Sequence, residues 1–268
     1  MITLFDKELK DTSTRSSKGN QLKWEKENVW YKADYLGYEG LAEYVVSKLL
    51  EKSSLKENEY VNYSLEEISY KAAVFTGCCS DDFTGDYSVI TLERLFKSSY
   101  GEGLNKGIYS IVNHTERLKY LVAQVERLTG ITDFGQYMCK LFTIDAFFLN
   151  EDRHTHNISV LMRGDSDFKL CPIYDNGAAL LADTMLDYPI GCDLGEAISQ
   201  VRTKTICDSP EEQLEIAESL YGQGVRFYWD EKDVEACLNE AVIYSEEIRN
   251  RVKEILFMQK RKYSYLFV

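Results

Sequence analysis

The chain has 268 residues, of which 44% are hydrophobic and 28% charged, and its formal net charge at pH 7 is -13. This length suits one large domain or two small lobes with a sizeable core, and the apolar share excludes a disordered or fibrous chain. The negative charge disfavours general binding to nucleic acid or to an anionic membrane, because those surfaces are negative too.

The first third of the chain is predicted to be rich in strands and to contain a single helix. Residues 21–26 and 28–34 are short aromatic-rich runs with a turn expected between them. Residues 38–52 are expected to be helical, since Leu41, Val45 and Leu49 share one helical face. Further strands are predicted at residues 60–65, 68–76 and 87–90.

Helical periodicity dominates from about residue 92 onward. Apolar residues from Leu118 to Leu128 recur at intervals of three and four residues, which predicts a helix. Gly130 follows at the position where a helix C-cap is expected. A second helix should begin at Thr132 or Asp133, with Gln136 placed for a capping box. Two strands, residues 158–162 and 168–173, are predicted to form a hairpin, and the last 35 or so residues one long helix.

The densest polar cluster covers residues 150–157, between an apolar helix and an apolar strand. Asp152 and Asn157 are five positions apart, the separation found in the catalytic loop of kinases. The hairpin then returns the chain to Asp175, and strand pairing should bring this carboxylate close to Asn157. Phosphoryl transfer needs such a set, because an Asp orients the acceptor hydroxyl and oxygen ligands hold Mg²⁺.

A lysine from the strand-rich part should neutralise the phosphates in such a site. Lys32 lies on a predicted strand that precedes the single predicted helix of that part. Glu39, at the start of the helix, is predicted to pair with Lys32, and Glu43, one turn later, is the substitute. Glu39 is accordingly grouped with Asp152 and Lys32 as catalytic.

These motifs resemble the HipA-like serine/threonine protein kinases, in particular their compact bacterial branch, which is distantly related to the phosphatidylinositol kinases. The resemblance covers about residues 15–180. The motifs that carry it are Lys18-Gly19-Asn20-Gln21-Leu22-Lys23, Trp30-Tyr31-Lys32-x-Asp34, Gly37-Tyr38-Glu39-Gly40-Leu41-Ala42-Glu43, Asn150-x-Asp152-Arg153-His154-x-x-Asn157 and Pro172-x-Tyr174-Asp175.

The resemblance implies an α+β, two-lobed protein-kinase-like fold that binds ATP and Mg²⁺. The expected N-lobe is residues 1–88, β-rich with one helix, and the expected C-lobe is residues 89–268, mainly helical. By this resemblance, a serine or threonine of a protein substrate would accept the phosphate. A regulatory partner protein could also bind. The implied roles are Asp152 as catalytic base, Asn157 and Asp175 as metal ligands, and Lys32 as a contact to the phosphates of ATP.

The resemblance also implies that the loop formed by residues 13–19 covers the phosphates. Ser16, Ser17, Lys18 and Gly19 are therefore predicted to bind the nucleotide. Relatives are regulated by autophosphorylation in this loop, which makes Ser16 or Ser17 a candidate acceptor.

Three alternatives are left open. A lipid or small-molecule kinase would share the same nucleotide site, and a pseudokinase scaffold would have the fold without the reaction. A metal-dependent hydrolase would use His154, His156 and Asp175, although no third histidine lies nearby in the sequence.

The cysteines and the hydrophobic runs bear on the location of the protein. The seven cysteines are scattered and form no Cys-x-x-Cys pair, which favours reduced thiols in a cytoplasm. No apolar run approaches the ~20 residues of a membrane span. The sequence therefore predicts a soluble cytoplasmic protein that does not bind membranes.

Overall fold

The computed structural model describes residues 1–10 and 21–268. A five-stranded sheet occupies the N-terminal part, in the spatial order β1-β4-β5-β3-β2. Its neighbouring strands are antiparallel except for β1, which runs parallel to β4. The strands are β1 (Ile2–Leu4), β2 (Lys23–Lys26), β3 (Val29–Ala33), β4 (Ser64–Tyr70) and β5 (Ala73–Asp81).

The hairpin of β2 and β3 confirms the two strands and the turn predicted there. Glu27 and Asn28 form the turn with φ of 54° and 63°, which suits the twist of a two-residue hairpin. The register pairs Lys32 with Lys23 on one side and with Cys78 of β5 on the other. Lys32 therefore lies on an inner strand of the sheet.

The next hairpin differs from the prediction. The strand predicted at residues 68–76 is divided by a two-residue turn at Lys71 and Ala72, which joins Tyr70 to its partner Ala73. Lys71 has a φ of 55°, a conformation that lysine rarely adopts, and the sequence carries no Gly or Asn to signal it. The strand predicted at residues 60–65 begins only at Ser64.

The helix α1 (Glu39–Leu50) confirms the helix predicted in this part, and it packs unusually close to β5. A Cβ atom added at Gly40 would lie 2.6 Å from the backbone carbon of Gly77. Two facing glycines thus allow the helix backbone to approach the strand. This approach brings the side chains of the second helical turn towards Lys32.

The remaining chain is mainly helical and carries a three-stranded sheet in the order β6-β7-β8. Its strands are β6 (Ser88–Thr91), β7 (Ser159–Arg163) and β8 (Asp167–Leu170). Its helices are α2 (Leu92–Tyr100), α3 (Leu104–Tyr109), α4 (His114–Thr129), α5 (Phe134–Phe148), α6 (Leu194–Gln200), α7 (Pro210–Tyr221), α8 (Glu231–Glu240) and α9 (Glu246–Lys262). Among the described helices, none combines the length and apolar character needed to cross a membrane.

Two helix ends test the predicted caps. Gly130 closes α4 in the left-handed conformation, with a φ of 74°, which confirms the predicted C-cap. The prediction of a capping box at the start of α5 is wrong. Asp133 makes no side-chain capping bond, and Gln136 donates instead to the carbonyl oxygen of Gln223.

The single long C-terminal helix predicted from the pattern is also wrong. Ala241 ends α8, and Ser245 opens α9 by accepting the backbone N–H of Ile248. The buried stripe continues across the break, since Val234, Leu238 and Val252 are all buried. Periodicity alone therefore did not reveal the serine cap that divides the two helices.

The helix α5 lies at the centre of the core and ends at the polar cluster. Phe147, near its C-terminal end, packs against Phe148, Phe227 and Trp229 with ring centroids 4.7–5.7 Å apart. Leu149 then ends the helix in the left-handed region, with a φ of 62°. The residues that follow are thus held on a rigid, buried support.

Candidate functional site

The loop after α5, residues 150–157, is fastened to the helix that precedes it. Asn150 donates from Nδ2 to Oδ1 of Asp145 at 3.0 Å, and its own Oδ1 accepts the backbone N–H of Asp152 at 3.2 Å. Asp145 and Asn150 are both buried. The backbone of Asp152 is therefore fixed by a side chain that is itself fixed.

Arg153 connects this loop to the end of the hairpin. Its guanidinium is buried and donates to Asp145 at 3.1 Å, to the carbonyl oxygen of Tyr174 at 2.8 Å and to Oδ1 of Asn176 at 2.9 Å. Burial opposes the charge, but the carboxylate of Asp145 outweighs it and raises the pKa of Arg153 above its usual range. Arg153 is thus a structural cation that holds residues on both sides of Asp175.

Asp152 and Asn157 contact each other directly. The Nδ2 atom of Asn157 donates to the backbone oxygen of Asp152 at 2.9 Å and to its carboxylate Oδ2 at 3.2 Å. Because the Nδ2 atom of Asn157 faces Asp152, its amide oxygen is directed away from Asp152. That oxygen is the atom a hard cation would take as a ligand.

Asp175 carries the second carboxylate of the site. Its backbone has a φ of 62°, in the left-handed region where Asp is one of the few tolerated non-glycine residues. Its Oδ1 lies 2.9 Å from Nζ of Lys32. Burial favours the neutral acid, but the ammonium of Lys32 outweighs it and lowers the pKa of Asp175 well below its usual range. The ion pair with Lys32 thus favours the ionised form of Asp175.

Lys32 is the meeting point of the sheet, α1 and the hairpin end. Its Nζ lies 2.5 Å from Glu43 and 2.9 Å from Asp175. Burial opposes its charge, yet the two carboxylates raise the pKa of Lys32 well above its usual value. Glu43 is only 1% exposed, and its second carboxylate oxygen accepts the backbone N–H of Asn176 at 2.7 Å.

The predicted pairing of Glu39 with Lys32 is wrong, because Glu43 occupies that place. Glu39 stands at the first position of α1, and its carboxylate accepts backbone N–H groups of the preceding turn, at 2.7 Å from Leu36 and 3.1 Å from Gly37. One helical turn later, Glu43 faces inward towards both Lys32 and Asn176. Glu39 is thus not the carboxylate that holds Lys32, and its catalytic role stays a prediction.

Asp152, Asn157 and Asp175 line one open pocket between the sheet and the helical part. Its walls also include Lys23, Glu39 and Gly177. The expectation that Asn157 and Asp175 lie close together is confirmed. Carboxylate and amide oxygens form the donor set that Mg²⁺ prefers, so the residues present fit this ion. Ser16, Ser17, Lys18 and Gly19, which were predicted to cover the phosphates, lie outside the described residues.

His154 and His156 do not form a metal centre with Asp175. Their rings are 5.5 Å apart and nearly perpendicular, and Nδ1 of His154 accepts the backbone N–H of His156 at 3.2 Å. Burial lowers the pKa of His154. No group of metal-binding side chains in the described parts of the chain contains either residue.

A different set of metal-ligand types lies on the helical side. His114, Cys207 and Glu212 place their ligand atoms within 4.8 Å of one another. His114 and Glu212 lie in the first turns of α4 and α7, and helix N-termini repel cations. The guanidinium of Arg117 also lies close enough to influence the pKa of Cys207. The surroundings of this cluster therefore oppose a metal ion.

Lys204 is a contact of the site that the sequence did not reveal. Its Nζ lies 3.2 Å from Oδ1 of Asp152, although 52 residues separate the two along the chain. The sequence carries no pattern that marks it, since Arg202, Thr203, Lys204 and Thr205 are four consecutive polar residues outside any recognised motif.

Comparison with known proteins finds similarity in structure only. No protein-family model matches the sequence, and no curated protein sequence matches it. Among solved structures, the proinflammatory kinase CtkA of Helicobacter pylori superposes with a TM-score of 0.62 at 16% identity, covering 97% of this chain and 95% of CtkA.

A second solved structure extends the likeness. HipA of the Shewanella oneidensis toxin-antitoxin system, solved with HipB and operator DNA, superposes with a TM-score of 0.51 at 11% identity. The match covers 94% of this chain and 63% of HipA. A five-stranded N-terminal sheet followed by a helical part is thus the kinase-like α+β fold of both neighbours. The predicted fold class and the resemblance to HipA-like kinases are thereby confirmed at the level of the fold.

Proposed function

We propose that this protein is an ATP-dependent, Mg²⁺-dependent phosphotransferase that phosphorylates serine or threonine side chains of proteins. The observation that carries the proposal is the ion cluster of Lys32 with Glu43 and Asp175, in which Asp175 also lines the pocket formed by Asp152 and Asn157. One structural neighbour, CtkA, is a kinase, and that agrees with the same chemistry.

Each side chain has a role in the proposed reaction. Asp152 would accept the proton of the acceptor hydroxyl as its oxygen attacks the γ-phosphorus. The bond from this phosphorus to the oxygen bridging it to the β-phosphate breaks, and its electron pair leaves with ADP. Asn157 and Asp175 would hold Mg²⁺, which when bound neutralises phosphate charge. Lys32 would donate to the phosphate oxygens, held in place by Glu43.

The structure also supports the preorganisation that such a site requires. Arg153 and Glu43 fasten the backbone on either side of Asp175, through Tyr174 and Asn176 respectively. Groups fixed before the substrate arrives do not have to be reorganised during the reaction. The proposal therefore rests on the hydrogen bonds that hold these side chains in place, and not only on which residues they are.

A protein acceptor is favoured over an anionic lipid by charge. The net charge of -13 opposes approach to a negative membrane surface, even though lipid kinases could share the nucleotide site. We include in the proposal a cytoplasmic location, a regulatory partner protein and autophosphorylation at Ser16 or Ser17.

The test is incubation of the purified protein with radiolabelled ATP and Mg²⁺, alone and with a cell extract. Asp152→Asn and Asp175→Asn should each reduce phosphate incorporation by at least about 100-fold, since each removes a group needed in the transition state. Asp165→Asn is the matched control, because Asp165 is exposed in the turn between β7 and β8.

Several readouts separate the alternatives. Wild-type labelling by both site variants would refute the assignment, and melting temperatures near the wild-type value would show that the variants are folded. Label found in lipid on thin-layer plates would indicate a lipid kinase. Peptide mapping without label in residues 1–20 would remove the autophosphorylation proposal, and failure of Mg-ATP to raise the melting temperature would favour a pseudokinase.

A further inference from the structure

The proposed base, Asp152, receives no fixed cation from its own loop. Arg153 is the one lysine or arginine among residues 150–157, and its guanidinium faces Asp145, away from Asp152. His154 has its Nε2 atom 3.8 Å from the Asp152 carboxylate, which is beyond hydrogen-bond distance.

Lys204 supplies that charge from a separate segment. Its Nζ lies 3.2 Å from Oδ1 of Asp152, while Asn157 donates to the other oxygen, Oδ2, at 3.2 Å. The carboxylate is thus held from two sides by two donors. The Lys204 side chain is 46% exposed, so the ammonium stays open to an incoming substrate.

The backbone around Lys204 is anchored much more firmly than its exposed side chain. The carbonyl oxygen of Lys204 accepts from the hydroxyl of Tyr109 at 2.6 Å. The hydroxyl of Thr205, which is fully buried, donates to the carbonyl oxygen of Arg153 at 2.5 Å. Thr203, also buried, donates to the carbonyl oxygen of Cys207 at 2.8 Å. These bonds fix the start of the Lys204 side chain relative to the catalytic loop.

Stability alone gives little reason for this arrangement. An ion pair with one partner nearly half exposed contributes little to stability, because water screens the charges. The buried hydroxyls of Thr203 and Thr205 would serve equally well to hold the segment if residue 204 were uncharged. The charge at this position is therefore better explained by its action on Asp152.

We propose that Lys204 is a positioning residue for the phosphoryl transfer proposed above, on which this inference rests. Its ammonium holds the Asp152 carboxylate in the orientation that accepts the proton of the acceptor hydroxyl. The proton passes to Asp152, the hydroxyl oxygen bonds to the γ-phosphorus, and ADP leaves with the electron pair of the broken bond.

The test compares steady-state kinetics of Lys204→Ala and Lys204→Arg with those of the wild type. Loss of the ammonium should lower kcat about 10- to 100-fold, because the base is no longer held, and should leave KM for ATP within about twofold. Arginine keeps the charge on an exposed side chain and should restore kcat to within about fivefold of wild type.

Arg202→Ala is the matched control. Arg202 belongs to the same segment and carries the same charge, but its guanidinium donates to the carbonyl oxygens of Ser199 and Val201. We expect this variant to keep the wild-type kcat. Equal losses in the alanine variants of Arg202 and Lys204 would point to a general effect of segment charge and overturn the inference.

The outcomes separate this inference from the proposed function. If the wild type transfers phosphate and Lys204→Ala does so at the same rate, the inference fails and the function stands. If the arginine variant gives no rescue, or the alanine variant loses ATP affinity and melting temperature together, the role is structural and the inference also fails. If the wild type transfers no phosphate, both fail.

Discussion

At the scale of the residue, two glutamates one helical turn apart show that position within a helix decides what a carboxylate contacts. Glu39 faces the free N–H groups of the turn before α1, whereas Glu43 faces Lys32 and the N–H of Asn176. Sequence spacing could not decide between them, because both stand near the start of the same helix. The close approach of α1 to β5 at Gly40 and Gly77 decides that the second helical turn, and not the first, meets Lys32.

This difference gives a prediction for paired glutamine variants. Glu43→Gln should lower kcat/KM at least about tenfold, since it removes the buried charge that holds Lys32. Glu39→Gln should stay within about threefold of wild type, because an amide oxygen still accepts the N–H of Leu36. Kinetics with ATP and a protein acceptor measure both. Equal losses in the two variants would contradict the assignment.

The residues that could be predicted are those whose chemistry depends on sequence spacing. Asp152, Asn157 and Asp175 are brought to one pocket by a helix end and a hairpin, and both elements are visible in the pattern. Their chemical roles stay predictions. Lys204 could not be found in this way, because its contact with Asp152 depends on the path of a long irregular segment.

At the scale of the element, the close packing of α1 on β5 places Glu43. Gly40 and Gly77 make this approach possible, and a Cβ atom at Gly40 would also lie 2.9 Å from the hydroxyl of Tyr244. Neither residue has a positive φ, which is the usual reason for glycine at a given position. Space, and not backbone conformation, is therefore the reason for glycine at these positions.

Gly40→Ala should consequently destabilise the protein by about 1–3 kcal/mol, in spite of the better helix propensity of alanine. It should also lower kcat, because a displaced α1 withdraws Glu43 from Lys32. Urea unfolding measures the first effect. Gly107→Ala in α3 is the control: its Cβ would meet only the end of the Tyr120 side chain, at 3.3 Å, so we expect no loss. Equal stabilities of the two variants would contradict the packing argument.

The errors in the predicted elements share one cause. The hairpin turn at Lys71 and the helix break before Ser245 both interrupt apolar patterns that continue past them. A residue pattern reports which positions are buried, but it does not report where the backbone changes direction unless a Gly, Pro or Asn marks the place. Helix α1 and the β2–β3 hairpin were predicted correctly because their patterns end where the elements end.

At the scale of the whole molecule, α1 joins the sheet to the C-terminal helices. The hydroxyl of Tyr44 donates to Glu240 at 2.8 Å, and Arg251 donates to the hydroxyl of Tyr38 at 3.3 Å. Asp34, just after β3, accepts the N–H of Gly40 at 2.6 Å and the hydroxyl of Tyr244 at 2.8 Å. The placement of Glu43 therefore depends on contacts from both ends of the chain.

Asp34 makes this junction sensitive to pH. Burial raises its pKa from 3.8 to about 6, in spite of the hydrogen bonds it accepts from Gly40, Thr76 and Tyr244. The folded protein therefore binds a proton between about pH 4 and 6 that the unfolded chain has already released. The contribution of Asp34 to the free energy of unfolding should accordingly be largest below about pH 4 and fall, by up to about 3 kcal/mol, as the pH rises to about 6.

Asp34→Asn should remove that part of the pH dependence, because an amide does not titrate. Urea unfolding of wild type and variant at several values between about pH 4 and 7 measures the difference. We expect the stability of the variant relative to wild type to rise steadily up to about pH 6 and then to level off. Asp165→Asn, the same change in an exposed turn, should follow the wild-type curve. Parallel curves for wild type and Asp34→Asn would show that the carboxylate is ionised throughout this range and that burial is not the dominant influence on it.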